Sequence, residues 1–344
     1  MCEPVVDFGA NLDHGNLLIL GNGFDLNLGY PTSYKDFVNN TNAPDNGAFP
    51  FAKGKEIHSK LGKYIQSATL IKRWYDLENV LAEYGKREDP YELNVNVLGV
   101  NLNFGKLLSE AKKMSRREKI IAADKEDYYK LIKSLTLYLK SIDLSHPIDD
   151  SVAARLLKAL YSSLGGPPVI YSFNYTDLSL IGQSLGLDIS PDSVNHVHGC
   201  LKNDDVILGV GDYADLRDEV DYMYKTFSKK YHSSQLFQAL EACDTILIFG
   251  LALSQVDYPY FADFFKKLAT GNVNRENKKL VRIITYDDNS RSEILRNLRR
   301  MNKSMINLVN YCDFDIIRTK DDVDEQKVSI VLDGIINRWK LALD

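Results

Sequence analysis

The feature of this sequence that most limits its fold is a set of short, almost continuously apolar runs, separated by longer amphipathic stretches. The runs are residues 17–20, 169–173, 194–197, 206–210, 245–249, 280–285 and 314–317. Strands that are buried on both faces, as in a parallel sheet, show continuous apolar runs rather than strict alternation. The sequence therefore predicts strands of a mostly parallel sheet at these seven places.

Helical patterns fill most of the intervals between the predicted strands. They cover residues 74–84, 118–141, 151–164, 256–269, 290–301 and 325–343. Because alternating strands and helices form doubly wound sheets, we expect an α/β fold, with a Rossmann-like, mostly parallel sheet and helices on both faces. Residues 40–165 are mostly helical in pattern and predict a large insertion packed beside the sheet, within a single domain over residues 1–344.

Composition and charge argue against several classes of protein. The net charge is −5, so there is no global basic field to recruit nucleic acid. The longest apolar run, residues 246–253, is far shorter than the ~20 residues of a membrane span. Residues 1–15 contain no basic region typical of a signal peptide. Four scattered cysteines fit a reducing compartment, so we expect a cytoplasmic protein without a structural zinc knuckle.

A glycine turn directly follows the first predicted strand, because residues 21–25 read Gly-Asn-Gly-Phe-Asp. Glycines at 21 and 23 reach backbone angles closed to other residues and leave room for a ligand near the main chain. The helix that follows would aim its free N–H groups at an anion. Leu26 stands where the dinucleotide fingerprint has its third glycine, so a tight strand-to-helix turn explains the pattern equally well.

Small polar residues follow the second predicted strand. Asn174, Thr176 and Asp177 stand at the carboxyl end of a buried strand, where a parallel sheet places its ligands. A purely structural alternative is a turn in which Thr176 or Asp177 caps the next helix.

Two histidines, His196 and His198, mark the end of the third predicted strand. Alternation puts them on the same side of the strand if the strand extends that far. No third ligand is obvious nearby in sequence, so we expect no metal. A histidine is a ready general base at neutral pH, and the alternative of a hydrogen-bonded structural role applies more to His196 than to His198.

Two later predicted strands end in the same way. Gly250 follows the run 245–249 and precedes Ser254 and Asp257, and Tyr286 follows the run 280–285. Ser254 has the alternative role of capping the next helix. Because the carboxyl ends of parallel strands share one edge of the sheet, these polar turns together predict one nucleotide-binding cleft there.

Together these turns resemble the AbiH family of bacteriophage abortive-infection proteins. The resemblance is carried by residues 20–26 (LGNGFDL), 29–37 (GYPTSYKDF), 74–78 (WYDLE), 173–176 (FNYT), 196–199 (HVHG) and the turn 250–257. The segments stand in the family's order and span roughly residues 17 to 290, which is most of the chain.

AbiH proteins are in turn similar to the sirtuin-like superfamily, which binds NAD on a Rossmann-like sheet. This resemblance implies that Asn174 is the catalytic Asn and His198 the catalytic base, while Asp25 orients water or nicotinamide or only caps its turn. It implies phosphate contacts at Gly21 and Gly23 and adenosine-side contacts at Gly250 and Ser254. We expect further NAD contacts at Asn22, Phe24, Thr176, Asp177, Asp257 and Tyr286. In this scheme NAD is the substrate, and no metal is expected.

The sequence departs from the superfamily pattern at two of these turns. Thr176 stands where an Asn-x-Asp segment has its Asp, and Leu251-Ala252 replaces a polar pair in the last turn. The cysteine module that binds zinc in the deacetylase sirtuins is absent from the sequence, so protein deacetylation is not expected.

The function implied by the resemblance is anti-phage defence through hydrolysis of NAD+ to nicotinamide and ADP-ribose. The expected partners are the nucleotide, a phage-derived activator or partner protein, and further copies of the chain, with no membrane. One alternative is a nucleotide-binding sensor or interaction module with little catalysis. Another is a metal-dependent nuclease or nucleotide hydrolase, in which Asp25, Asp177 and Asp257 would converge at the cleft.

Overall fold

The computed structural model describes residues 15–40, 48–71, 77–87, 104–162, 167–231, 235–270 and 278–320. The chain divides into two compact units. The first comprises Met1–Thr32, Ile142–Asp205 and His232–Asp344, and the second comprises Ser33–Ser141 and Val206–Tyr231. The prediction of a single domain with an insertion over residues 40–165 stays a prediction.

Six strands form one sheet in the first unit. They are β1 Asn16–Leu20, β2 Val169–Ser172, β3 Val194–His196, β4 Thr245–Phe249, β5 Leu280–Thr285 and β6 Asp313–Arg318. Each pair of neighbours is parallel, and the strand order is β3-β2-β1-β4-β5-β6. This is the order of doubly wound dinucleotide-binding sheets, so the predicted Rossmann-like fold is confirmed.

Helices follow or precede most of these strands. Within the described residues they are α1 Asn22–Asn27, α2 Tyr34–Asn39, α3 Lys60–Ile71, α4 Leu77–Gly85, α5 Phe104–Lys140, α6 Val152–Ser162, α7 Leu178–Ser184, α8 Leu236–Ala242, α9 Tyr258–Ala269, α10 Asp288–Asn302 and α11 Met305–Tyr311. The helix predicted over 118–141 begins earlier, at Phe104. The helix predicted over 325–343 and the first residues of the one predicted over 74–84 lie outside the described residues.

The sheet is covered by helices on both faces, as the apolar runs predicted. Leu18 and Leu20 of β1 belong to a buried cluster with side chains of α1, α6 and α7. Leu17 and Ile19 belong to a second buried cluster with side chains of α8, α9, α10 and α11. Because successive side chains of a strand point to opposite faces, a strand buried on both faces must be apolar at every position.

The prediction of a strand over residues 206–210 is wrong. This buried segment forms only an isolated bridge, between Val210 and Tyr224. Two of its backbone groups are bonded outside any ladder: the Val210 N–H donates to Met223 O at 2.9 Å, and the Tyr128 hydroxyl donates to Leu208 O at 2.6 Å. Burial without a ladder therefore accounts for the apolar run, and no strand among the described residues pairs with it.

The second unit contains α2, α3, α4 and α5 and encloses a buried ion pair. Lys225 Nζ lies 2.9 Å from Glu78 Oε1 and 3.0 Å from Oε2, and the two side chains are 5% and 8% exposed. A second buried acid, Asp124, accepts hydrogen bonds from the Leu61 N–H and the Tyr84 hydroxyl. These contacts tie α3, α4 and α5 together through polar groups in an otherwise apolar interior.

We expect Glu78→Gln to lower the free energy of unfolding by about 3–5 kcal/mol, because it removes the charge opposite a buried ammonium group. Urea denaturation measures this difference. The matched control is Asp149→Asn, which breaks the more exposed ion pair with Lys158 and is expected to cost less than about 1 kcal/mol. Equal effects of the two substitutions would contradict a structural role for the buried pair.

Candidate functional site

The parallel sheet brings the polar turns of the first unit to one edge. From β1 the chain moves to β2 and β3 on one side, and later returns to β4 on the other side of β1. The strand order therefore reverses between β1 and β4, and sheets of this kind bind ligands outside the carboxyl ends of the strands at such a point. The turns that begin at Gly21 and Gly250 meet there.

The glycines of these two turns allow the backbones to touch. A Cβ on Gly23 would lie 2.6 Å from Gly250 Cα, and one on Gly250, which has a φ of 71°, would lie 2.3 Å from Phe24 N. The Gly21 N–H donates to Phe249 O at 2.8 Å, and the Gly23 N–H donates to Gly250 O at 2.9 Å. The pattern predicted room for a ligand, but the structure fills this space with the neighbouring turn.

A buried carboxylate joins the first turn to the second. Asp25, in the first turn of α1, is 1% exposed. Its Oδ1 accepts from Asn174 Nδ2 at 2.8 Å, and its Oδ2 accepts from Thr176 Oγ1 at 2.8 Å. Burial raises the pKa of Asp25 to about 7, against the opposing effect of these two hydrogen bonds. A carboxyl group with such a pKa changes its charge near neutral pH, which is a common property of functional sites.

The Asn174 amide is held on its nitrogen side. Nδ2 donates to Asp25 Oδ1 and also to Gly21 O, at 3.0 Å. An amide nitrogen has two hydrogens, so both are committed to the protein. No hydrogen bond to Asn174 Oδ1 is found among the described residues. The chemistry that this side chain can offer a ligand is therefore that of a hydrogen-bond acceptor.

His198 is buried beside aromatic rings. Its side chain is 7% exposed, and its ring lies edge-to-face with Phe173, with centroids 5.3 Å apart. Its Nε2 lies 3.4 Å from the hydroxyl of Tyr260 in α9. Tyr260 is the neighbour that sequence reasoning missed, because a tyrosine on an amphipathic helix carries no sign that it faces a histidine of a distant loop.

His196 has a structural position. β3 ends at this residue, so the condition for His196 and His198 to share one side of a strand is not met. His196 Nδ1 lies 3.0 Å from the backbone O of Asn174. Burial lowers the pKa of His196, which favours the neutral ring at neutral pH. The neutral ring can donate its Nδ1–H to that carbonyl, and so helps to hold the turn that carries Asn174.

Most of the remaining predicted contact residues have partners within the protein. Asp177 caps α7 by accepting from the Ser179 N–H at 2.9 Å, and Asp257 accepts from the Ser254 N–H at 2.8 Å. Asn22 Oδ1 accepts from the Thr32 hydroxyl, the Phe24 ring packs edge-to-face on Phe249, and Tyr286 is 59% exposed beside Lys320. The assignment of these residues to NAD binding stays a prediction.

The acidic residues considered for a metal site do not form one group. Within the described residues, no set of three or more His, Cys, Asp or Glu side chains is arranged to hold a metal ion. Asp177 and Asp257 accept hydrogen bonds from backbone groups of their own turns, and Asp25 accepts from Asn174 and Thr176 in the turn after β2.

We expect Gly250→Ala to lower the free energy of unfolding by about 3 kcal/mol or more, because the added methyl group meets backbone atoms that cannot move aside. Gly186→Ala is the matched control: Gly186 also has a positive φ, of 75°, but nothing lies within 4 Å of an added Cβ. The control isolates the conformational strain, about 1–2 kcal/mol. Urea denaturation of both variants tests this, and equal losses would argue against the close contact.

We expect Asp25→Asn to change how stability depends on pH. The folded-state pKa of about 7 exceeds the ordinary value of 3.8, so stability that Asp25 contributes at low pH is lost as the pH rises through about 7. Between pH 5 and pH 8 the wild type should lose about 3 kcal/mol more than Asp25→Asn. Urea denaturation at both pH values measures this, with the exposed Asp192→Asn as control. Parallel pH curves would refute the raised pKa.

Comparison with known proteins identifies the family of the chain. No curated protein and no solved structure shows significant similarity to it. Of the helices within the described residues, none has the length and apolar character needed to cross a membrane. Residues 17–276 match the family described as "Bacteriophage abortive infection AbiH". This match includes the first four strands and the turns after them, and the chain therefore belongs to the AbiH family of bacteriophage abortive-infection proteins.

Proposed function

We propose that this protein hydrolyses NAD+ to nicotinamide and ADP-ribose in defence against phage. The observation that carries the proposal is the anchoring of Asn174 to the first turn, through Gly21 O and Asp25. This places a fixed amide beside the turn after the central strand β1, at the sheet edge where doubly wound folds bind nucleotides. Membership of an abortive-infection family supports the defence role.

The reaction makes modest demands on the protein. Nicotinamide leaves NAD+ as a neutral group, so its departure needs no general acid, and the ribose passes through an oxocarbenium-like transition state. The site must orient the ribose and water and must accept a proton from the water. We assign the first task to Asn174, whose Oδ1 can accept from a ribose hydroxyl or from water, and the second to His198.

The other contacts with NAD are assigned to the same edge. We assign the phosphates to the exposed side of the first turn, at the backbone N–H of Asn22, the first residue of α1, because an N–H at that position has no acceptor inside the helix. Gly21 and Gly23 bound this turn, and their other side is filled by the turn that begins at Gly250. The exposed ring of Tyr286, after β5, offers a stacking surface for adenine. We assign Phe24, Thr176, Asp177, Gly250, Ser254 and Asp257 to supporting the turns that surround the ligand.

The enzyme is proposed to act in the cytoplasm as a homo-oligomer and to stay idle until a phage-derived activator appears. This regulation fits a site whose histidine is 7% exposed, because a small rearrangement would suffice to open or close access to His198. The test must therefore include infected cells as well as purified protein.

We expect His198→Gln to reduce nicotinamide release by about 10²–10⁴-fold, because the glutamine side chain cannot take up the proton. The matched control is His146→Gln, at an exposed histidine of the same unit, which is expected to retain most of the activity. Release is measured on purified protein and, in cells, as loss of NAD+ after phage infection. The proposal would be refuted if infected cells that the wild-type protein protects lost no NAD+. It would also be refuted if cells carrying His198→Gln lost as much NAD+ after infection as cells carrying the wild type.

A nucleotide-binding sensor with little catalysis is the second candidate function. The observation that favours it is the turn after β4, where Leu251 and Ala252 stand in place of a polar pair expected beside the nucleotide, and Leu251 is buried. Calorimetry separates the two functions. A sensor binds NAD+ or ADP-ribose without releasing nicotinamide in the presence of the activator, whereas the enzyme turns NAD+ over.

A further inference from the structure

The cluster formed by Asp25, Asn174 and Thr176 joins two turns that are far apart in the sequence. We propose that Asp25 is the positioning residue of Asn174, and that its carboxylate takes the place of the acid missing at position 176. The inference rests on the proposed function for its kinetic consequences. Its structural claim, that Asp25 fixes the Asn174 amide, can be tested without activity.

The hydrogen bonds divide the two carboxylate oxygens between two donors. Oδ1 accepts from Asn174 and Oδ2 accepts from Thr176, each at 2.8 Å. In an Asn-x-Asp segment the acid stands two residues after the Asn, and here Thr176 occupies that position and donates to Asp25. The negative charge is thus supplied by Asp25, in the turn after β1. Thr176, in the turn after β2, donates a hydrogen bond to that carboxylate.

Asn174 is held at every polar atom except one. Its N–H donates to Ser172 Oγ at 3.1 Å, its carbonyl lies 3.0 Å from His196 Nδ1, and Nδ2 is committed to Asp25 and Gly21. Only Oδ1 remains to meet a ligand, and it can only accept. The group bound there must therefore be a hydrogen-bond donor, such as a ribose hydroxyl or water, and not a phosphate oxygen.

Protonation of Asp25 would remove its charge without displacing Asn174. The Asn174 Nδ2 can only donate, so a proton on the carboxyl group belongs on Oδ2, where Thr176 Oγ1 can accept it. Tyr30 is the titratable group whose pKa Asp25 influences, and that pKa is raised to about 12, chiefly by burial, so Tyr30 stays neutral. Since burial brings the pKa of Asp25 to about 7, the charge beside Asn174 changes in the neutral range.

The structural claim is tested by NMR on the substrate-free protein. The side-chain amide signal of Asn174, assigned by its loss in Asn174→Ala, is followed across the neutral pH range. We expect it to titrate with a midpoint near 7 in the wild type and to stay constant in Asp25→Asn. Thr176→Val removes a donor to the ionised carboxylate and should move the midpoint upward relative to Thr176→Ser. A signal that does not titrate, or that titrates equally in Asp25→Asn, would overturn the inference.

The kinetic claim is tested by moving the charge along the chain. Asp25→Asn keeps the shape of the side chain and is expected to lower kcat about 10²-fold while KM is nearly unchanged, because it removes a charge that favours the ribose cation. Combining Asp25→Asn with Thr176→Asp returns an acid to the cluster and should regain part of the lost kcat. The matched control combines Asp25→Asn with Thr176→Asn, which restores no charge.

The outcomes separate the inference from the proposed function. Unchanged kcat in Asp25→Asn, or equal kcat in the two double variants, would overturn the claim that the Asp25 carboxylate takes the place of an acid at position 176. If the double variants do not fold, the NMR midpoints of the single variants are compared. A higher midpoint in Thr176→Val than in Thr176→Ser supports the inference, and equal midpoints overturn it. A wild type without nicotinamide release under activating conditions refutes the proposed function alone, and the NMR titration still decides whether Asp25 fixes Asn174.

Discussion

The close contact between the turns after β1 and β4 decides where a ligand can meet the chain. Gly23 and Gly250 approach so closely that their backbones are hydrogen-bonded, with the Gly23 N–H donating to Gly250 O at 2.9 Å. In sheets of this strand order the crevice between these turns commonly receives the nucleotide phosphates. Here backbone atoms of Gly23 and Gly250 occupy the base of the crevice. An acceptor for a ligand lies in the turn after β2, on the other side of β1: Asn174 Oδ1 accepts no hydrogen bond among the described residues.

Two buried acids show how the same desolvation cost has different outcomes. Glu78 faces the Lys225 ammonium group and is paired with an opposite charge. Among the described residues, Asp25 accepts side-chain hydrogen bonds from two neutral donors, Asn174 and Thr176, and its pKa rises to about 7 because these bonds do not offset burial. A paired charge serves to hold a structure together, whereas a carboxyl group that titrates near neutral pH can also respond to a ligand or to a change in pH.

The sequence predicted those parts of the structure that depend on burial and local turn chemistry. All six strands of the sheet were predicted; the four inner strands are mostly apolar, whereas the edge strands β3 and β6 carry polar residues at half or more of their positions. The cap formed by Asp177 follows from local side-chain spacing, and Ser254 stands at the N-cap of the next helical turn, as its position predicted. The same reasoning failed for residues 206–210, where burial comes from loops and helices. The role of Gly23 could not be predicted, because its neighbour Gly250 is distant in sequence and glycine patterns do not reveal what fills the space.

The pairing of Asp25 with Thr176 has a consequence for how the site can vary. Replacing Asp25 alone by an apolar residue would leave two buried donors unsatisfied, and placing an acid at 176 alone would set two carboxyl groups against each other. The two positions are therefore energetically coupled, and the charge can change its place only when both residues change. The first turn and the second turn are thus joined structurally, although 151 positions separate Asp25 from Thr176. The Asn174 amide, which donates to both Asp25 and Gly21, is the part of these joined turns that can present an acceptor to a ligand.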